Sequence, residues 1–81
     1  MTITGRQIRE ARALLRLQRN ELAAKVRMVS TGTIARAESV DDEPPITTAQ
    51  AAAIRLFFEA AGIDCNYDDS GAAVVRLRKS T

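Results

Sequence analysis

The side chains best placed to do chemistry in this sequence are its arginines. Eight basic residues (Arg6, Arg9, Arg12, Arg16, Arg19, Lys25, Arg27 and Arg36) lie in positions 1–36, against only Glu10 and Glu21. Residues 37–75 reverse that balance, with Arg55 facing eight acids (Glu38, Asp41, Asp42, Glu43, Glu59, Asp64, Asp68 and Asp69). Arg76, Arg78 and Lys79 restore positive charge afterwards, so a formal net charge of +2 conceals a strongly polarised chain. A charge run is ordinarily a solvated face. A basic half opposite an acidic half points instead to an oriented contact with a polyanion. A guanidinium fork fits phosphate oxygens and the O6/N7 edge of guanine, so those are the groups to weigh.

Other chemistries find little footing. The chain has no His and a single Cys, Cys65, which removes Cys/His nucleophiles, internal disulfides and the usual zinc ligand sets. Cys65 reads as a small apolar filler in a reducing cytoplasm. The run Ser30-Thr31-Gly32-Thr33 has the glycine of a phosphate-gripping loop but neither the GxxxxGK frame nor a preceding strand. Asp41, Asp42 and Glu43 could bind a cation loosely, but beside Pro44 and Pro45 they are more simply a solvated loop. No catalytic residue, metal site or cofactor is expected, and the chain is not expected to be an enzyme. No apolar run approaches the roughly 18 residues of a membrane span, and the start MTITGRQIRE lacks an apolar signal region. The expectation is a cytoplasmic protein with no membrane partner.

The elements that would carry the arginines can be read from capping and periodicity. A chain of 81 residues supports one domain with a modest core, and 46% apolar content with one Tyr and two Phe favours closely packed helices. Thr4 and Gln7 have capping-box spacing, and Ile8, Ala11, Leu14 and Leu15 recur at helical intervals, which predicts a helix over about 4–17. In QRNELAAKV, Leu22, Ala23 and Val26 share a face, with Glu21 near the positive end of a two-turn helix. Ser30 offers the cap of a third short helix, buried through Ile34 and Ala37 and ending near Ser39. The acids and prolines of SVDDEPPI form a loop. Thr47 and Gln50 repeat the capping box before the stripe Ala51, Ile54, Phe57, Phe58 and Ala61, which Gly62 ends. Alternation at Ile63, Cys65 and Tyr67, the turn DDSG, and alternation at Val75 and Leu77 predict a hairpin with strands near 63–67 and 73–78.

Three short helices within residues 4–39 suggest a helix-turn-helix over about 19–39, with small Ala23 at the helix crossing and branched Ile34 locking it. The strings IREARALL, NELAAKV and TIARAE resemble the Cro/lambda-repressor (Xre-like) type of helix-turn-helix regulator. RAESVDDEPPITTAQAAAIRLFFEAAGI with VRLRK is similar to a small bacterial subgroup of those regulators, so the resemblance covers about residues 4–78. It implies a mainly α fold, a four-helix lambda-repressor-like domain with a C-terminal β-hairpin, spanning 1–81 as a single domain. It also implies that Arg12 pairs with Glu38 to tie the first helix to the recognition helix. The DNA-facing positions of that family fall on Arg19, Thr31, Gly32, Thr33 and Arg36. Two departures stand out: the family usually has Gln where this chain has Arg19, and Gly in the turn where it has Arg27. The Leu22-to-Ile34 interval is also one residue longer than the commonest spacing, so the turn RMVS must absorb an extra residue.

Each position has a specific chemistry and a plainer alternative. Arg36 can place a bidentate fork on guanine, or pair with a nearby acid on the surface. Thr31 and Thr33 can meet base edges and phosphates, while Thr33 can equally cap the helix with Ser30. Gly32 leaves room for backbone to approach DNA. Arg19 and Arg16 supply phosphate contacts, and Arg27 either joins them or is solvated. A two-turn reading helix spans few base pairs, so a homodimer on a two-half-site operator is expected, with Leu56, Phe57, Val75 and Leu77 at its interface. The plainer reading of the hairpin is a cover for its own fourth helix. The expected function is thus sequence-specific binding of double-stranded DNA by a transcription regulator, as repressor or autoregulator. The rival is a protein-interaction module of antitoxin or anti-activator type, using the acidic half and the hairpin edge to grip a protein partner.

Overall fold

At the start of every helix a side chain accepts a hydrogen bond from a backbone N–H. The computed structural model describes residues 3–78, with α1 at Gly5–Leu14, α2 at Arg19–Lys25, α3 at Thr31–Ala37 and α4 at Thr48–Ala60. At α1 the Gln7 N–H donates to the Thr4 hydroxyl (3.0 Å) and the Thr4 N–H donates to Gln7 Oε1 (2.9 Å). Thr47 and Gln50 repeat that reciprocal pair at α4, at 3.0 and 3.1 Å. The Thr33 N–H donates to Ser30 Oγ (3.1 Å) at α3, and Glu21 accepts from the Gln18 N–H (2.8 Å) at α2. Each cap contributes on the order of 1 kcal/mol to helices too short to persist alone.

The first helix is shorter than its apolar periodicity suggests. It stops at Leu14, Leu15 caps it, and Arg16 takes a left-handed conformation (φ 56°), so 15–17 is a connector rather than a last helical turn. Arg12 causes the reversal: its Nη1 donates to the Leu17 carbonyl (2.9 Å), and the Leu17 N–H donates back to the Arg12 carbonyl (3.0 Å). Leu14, counted in the apolar stripe, is 46% exposed as a result, while Leu15 and Leu17 cover the core edge.

Residues 26–30 join α2 to α3, and the chain turns at Met28, whose φ is 76°. The left-handed position thus falls one residue after Arg27. Gln50 of α4 donates to the Met28 carbonyl (3.2 Å), fixing the turn from the other side. The core between the helices contains Ile8, Ala11, Leu22, Val26, Ile34, Ala37, Ala51, Ile54 and Phe58, and Ile3 closes it. Ala61, placed on the same stripe by spacing, is instead the exposed cap of α4.

Close approach of backbone decides one glycine. The Gly5 N–H donates to the Asp42 carbonyl (2.9 Å), and a Cβ at position 5 would lie 2.0 Å from the Val40 carbonyl oxygen and 2.3 Å from that of Ala37. The start of α1 therefore rests directly on the chain leaving α3. Arg9 strengthens the same junction by donating to the Glu38 carbonyl (2.5 Å).

After Gly62, which is left-handed at φ 93°, β1 (Ile63–Tyr67) and β2 (Ala73–Leu77) form an antiparallel pair in the register Ile63↔Leu77, Cys65↔Val75 and Tyr67↔Ala73. Ile63, Cys65 and half-buried Val75 face the helices. The Asp68 carboxylate organises the turn, accepting from the Ser70 hydroxyl (2.6 Å) and from the Ser70 and Ala72 N–H groups (both 2.9 Å). These bonds, the Ser70 hydroxyl's first, hold the Asp68 carboxyl below its ordinary pKa. Buried Gln7 then clasps the hairpin, its Nε2 donating to the Asn66 (2.8 Å) and Val74 (3.1 Å) carbonyls of one paired rung. The outcome is a mainly α arrangement of four helices and a C-terminal hairpin with a radius of gyration of 11.6 Å. Among the described residues no helix is long and apolar enough to cross a membrane, and Lys79 of the basic tail lies outside them.

Candidate nucleic-acid interface

The fold consumes some of the basic side chains and leaves others bare. Arg6 pairs with Glu10 (2.8 Å), and Arg9 is held by Asp41 and by the carbonyls of Glu38 and Val40. Arg55 pairs with Glu59 (3.2 Å) and Arg78 with Asp64 (3.4 Å). Arg16, Lys25, Arg27 and Arg36 are exposed, and none of them forms an ion pair among the described residues. These four cations sit in the connector before α2, at the end of α2, in the following turn and on α3. The uneven charge along the chain thus becomes a set of unpaired cations on and beside the α2–α3 unit, with Arg76 of β2 exposed and outside any ion pair among the described residues as well. Lys25, which the sequence reading counted only as charge, belongs to it.

Glu38 anchors this unit from beneath. Its side chain has no exposure and receives Arg12 bidentately, Nε on Oε2 (2.8 Å) and Nη2 on Oε1 (3.0 Å). The bond to Glu38 raises the Arg12 pKa further above its ordinary value. Removing one partner of such a buried pair costs about 3–5 kcal/mol, because the other charge stays buried. The expected Arg12–Glu38 tie is thus present, but it has a third member. Arg19 donates its Nε to Glu38 Oε1 (3.0 Å) while its side chain remains 48% exposed. Spacing along the chain carries no signal for this contact, because only the crossing of α2 over α3 brings the groups together.

The outward face of α3 differs in one respect from the expected set. Thr31, Gly32 and Arg36 are exposed. A Cβ at Gly32 would meet nothing nearer than Ser30 Oγ at 3.8 Å, so its missing side chain opens onto free space. Thr33 is only 6% exposed, and its hydroxyl lies 3.0 Å from Ser30 Oγ. Of its two readings the cap is the one the geometry displays, and its hydroxyl is turned away from the outward face. Ala35, half-buried between Gly32 and Arg36, takes a place on that face instead.

The four apolar positions expected at a dimer interface separate into two kinds. Phe57 and Val75 are half-buried against the chain's own core, with the Phe57 and Phe58 rings 5.6 Å apart. Leu56 and Leu77 are 65% and 52% exposed. Leu56 lies on an outward stripe of α4 with exposed Ala49, Ala52 and Ala60, flanked by the Arg55–Glu59 ion pair. Cys65 of β1 is buried, and burial pushes its thiol pKa up to about 11. Among the described residues no three His, Cys, Asp or Glu side chains are grouped as metal ligands. No protein-family model matches this chain, and no curated protein matches it in sequence.

Proposed function

We propose that the chain is a sequence-specific DNA-binding transcription regulator of the Cro/lambda-repressor type, with α2–α3 as its helix-turn-helix. The observation that carries this reading is that Arg16, Lys25, Arg27 and Arg36 are exposed and form no ion pair among the described residues, on and beside a helix whose outward face is otherwise small: Thr31, Gly32 and Ala35. Cations that the fold neutralises serve the fold, whereas bare ones are available to phosphates. In this reading α3 enters the major groove. Arg36 reads a base edge, Thr31 reaches a base or phosphate, Gly32 lets backbone come close, and Arg16, Arg19 and Arg27 contact phosphates. Because α3 has seven residues, two copies bind two half-sites, joined through the exposed Leu56 face of α4 and the hairpin end at Leu77. The simplest action is repression or autoregulation by occupying promoter DNA in the cytoplasm.

The test is duplex binding as a function of salt. Three phosphate contacts per protomer give a dimer a log–log slope of about −5. Arg19→Ala with Arg36→Ala should lower the slope's magnitude by about 2 and abolish discrimination between operator and random duplex. Normal operator binding by that double variant sinks the docking. Sedimentation at tens of micromolar that finds only monomer, with and without DNA, sinks the dimer. A wild-type chain that binds no duplex at low salt leaves the acidic half and the hairpin edge as the functional surface, which is the protein-interaction reading.

A further inference from the structure

Glu38 carries one negative charge and receives two guanidinium groups, and these two groups are used differently. Arg12 has every nitrogen engaged: Nε and Nη2 on Glu38, and Nη1 on the Leu17 carbonyl. Its side chain is 22% exposed. Among the described residues Arg19 is engaged only through Nε, at 3.0 Å, and its side chain is 48% exposed. Both of its terminal amino groups therefore stay open to solvent at the first residue of α2, beside the unpaired Arg16. A free arginine loses rotamer freedom when it docks; one already held at Nε has lost part of it beforehand.

We propose that Glu38 is a positioning residue for DNA binding, holding Arg19 by its Nε so that the two terminal amino groups form a preset fork for a backbone phosphate. This rests on the DNA-binding reading and adds to it a division of labour within one carboxylate. Arg12 locks Glu38 to the fold, and Glu38 aims Arg19 outward. The single excess positive charge of the trio then resides on the member that faces solvent.

Arg19→Lys separates this role from the others, because lysine keeps the charge but has no Nε to leave on Glu38 while offering a fork. Measured by fluorescence anisotropy on duplex DNA, Arg19→Lys should weaken binding about tenfold per protomer, with an unchanged salt slope. Equal binding by Arg and Lys means a plain solvated charge or a purely structural contact and overturns the proposal. In a Glu38→Gln background that keeps its helical circular dichroism, the same substitution should cost less than about threefold, since the fork is no longer aimed. An undiminished cost there overturns the coupling. If Glu38→Gln does not fold, the decision falls to the Arg19 side-chain resonances of the wild-type protein. The Nε–H signal should stay in place on DNA addition while the terminal N–H signals become restricted. An Nε–H signal that moves to its solvent-exposed position shows Arg19 leaving Glu38 to reach DNA, against the proposal. A wild-type protein that binds no duplex removes both readings together, whereas wild-type binding with an indifferent Arg19→Lys removes only this one.

Discussion

Gly32→Ala is the change that most sharply separates what the fold needs from what the proposed groove contact needs. Gly32 is the second residue of α3, and a Cβ built there meets only Ser30 Oγ, at 3.8 Å, an ordinary contact. Nothing in the isolated protein therefore opposes alanine. Helix propensity favours it by about 0.8–1.0 kcal/mol in a helix interior, and by roughly half that in a first turn. A gain of about 0.5 kcal/mol in a domain of this size raises Tm by about 2–4 °C. In the proposed complex the same methyl group would lie where the backbone approaches DNA, and pushing it out would cost about 1 kcal/mol per half-site, roughly thirtyfold for two half-sites. Thermal unfolding followed by circular dichroism reads the first quantity, and operator titration reads the second. A lower Tm refutes the packing argument. A higher Tm with unchanged operator affinity refutes the placement of Gly32 at the groove.

Gly5→Ala should do the opposite of Gly32→Ala, costing about 3 kcal/mol or more in denaturant titration, since the new Cβ would sit 2.0 Å from the Val40 carbonyl oxygen. Met28→Gly should stabilise by about 0.5–1 kcal/mol in the same assay, because Met28 holds a left-handed φ of 76° with a side chain that is 64% exposed. Cys65 should make stability sensitive to alkali. Its folded pKa is raised from 9.0 to about 11, so its contribution is complete below pH 9 and is lost as pH climbs toward 11. The stability difference between wild type and Cys65→Ala should shrink by on the order of 1–2 kcal/mol between pH 8 and 10.5 in urea titrations.

The caps were the most legible part of the sequence, because a capping box is local. Thr4 with Gln7 and Thr47 with Gln50 need only three residues of context, and both form as the spacing predicts. The hairpin was legible for a similar reason: alternation around DDSG marks its strands to within one residue at the far end. The end of α1 was not, because Leu15 and Leu17 continue an apolar period through a segment that Arg12 folds back on itself. Periodicity reports which side chains seek the core and says nothing about the hydrogen bonds that carry them there. Within the candidate interface, Arg12 with Glu38 was readable through resemblance, whereas the attachment of Arg19 to the same carboxylate depends on a helix crossing. Thr33 illustrates the same limit: two chemistries fitted its position, and only the 3.0 Å approach to Ser30 Oγ distinguishes them.

The Gln7 clasp also bears on the order in which the chain can fold. Its carboxamide joins residues 59 and 67 positions apart in sequence, so a side chain made early by the ribosome waits for carbonyls made late. Both α1 and α4 pack against the strands, and until residue 74 has emerged Gln7 lacks the second of its two acceptors. Loop-closure entropy has to be met before such a long-range junction forms, which slows folding relative to a chain of local contacts. The hairpin therefore closes a topology in which α1 and β2, at opposite ends of the described residues, are spatial neighbours. Amide exchange at Asn66 and Val74 should follow global unfolding rather than local fraying.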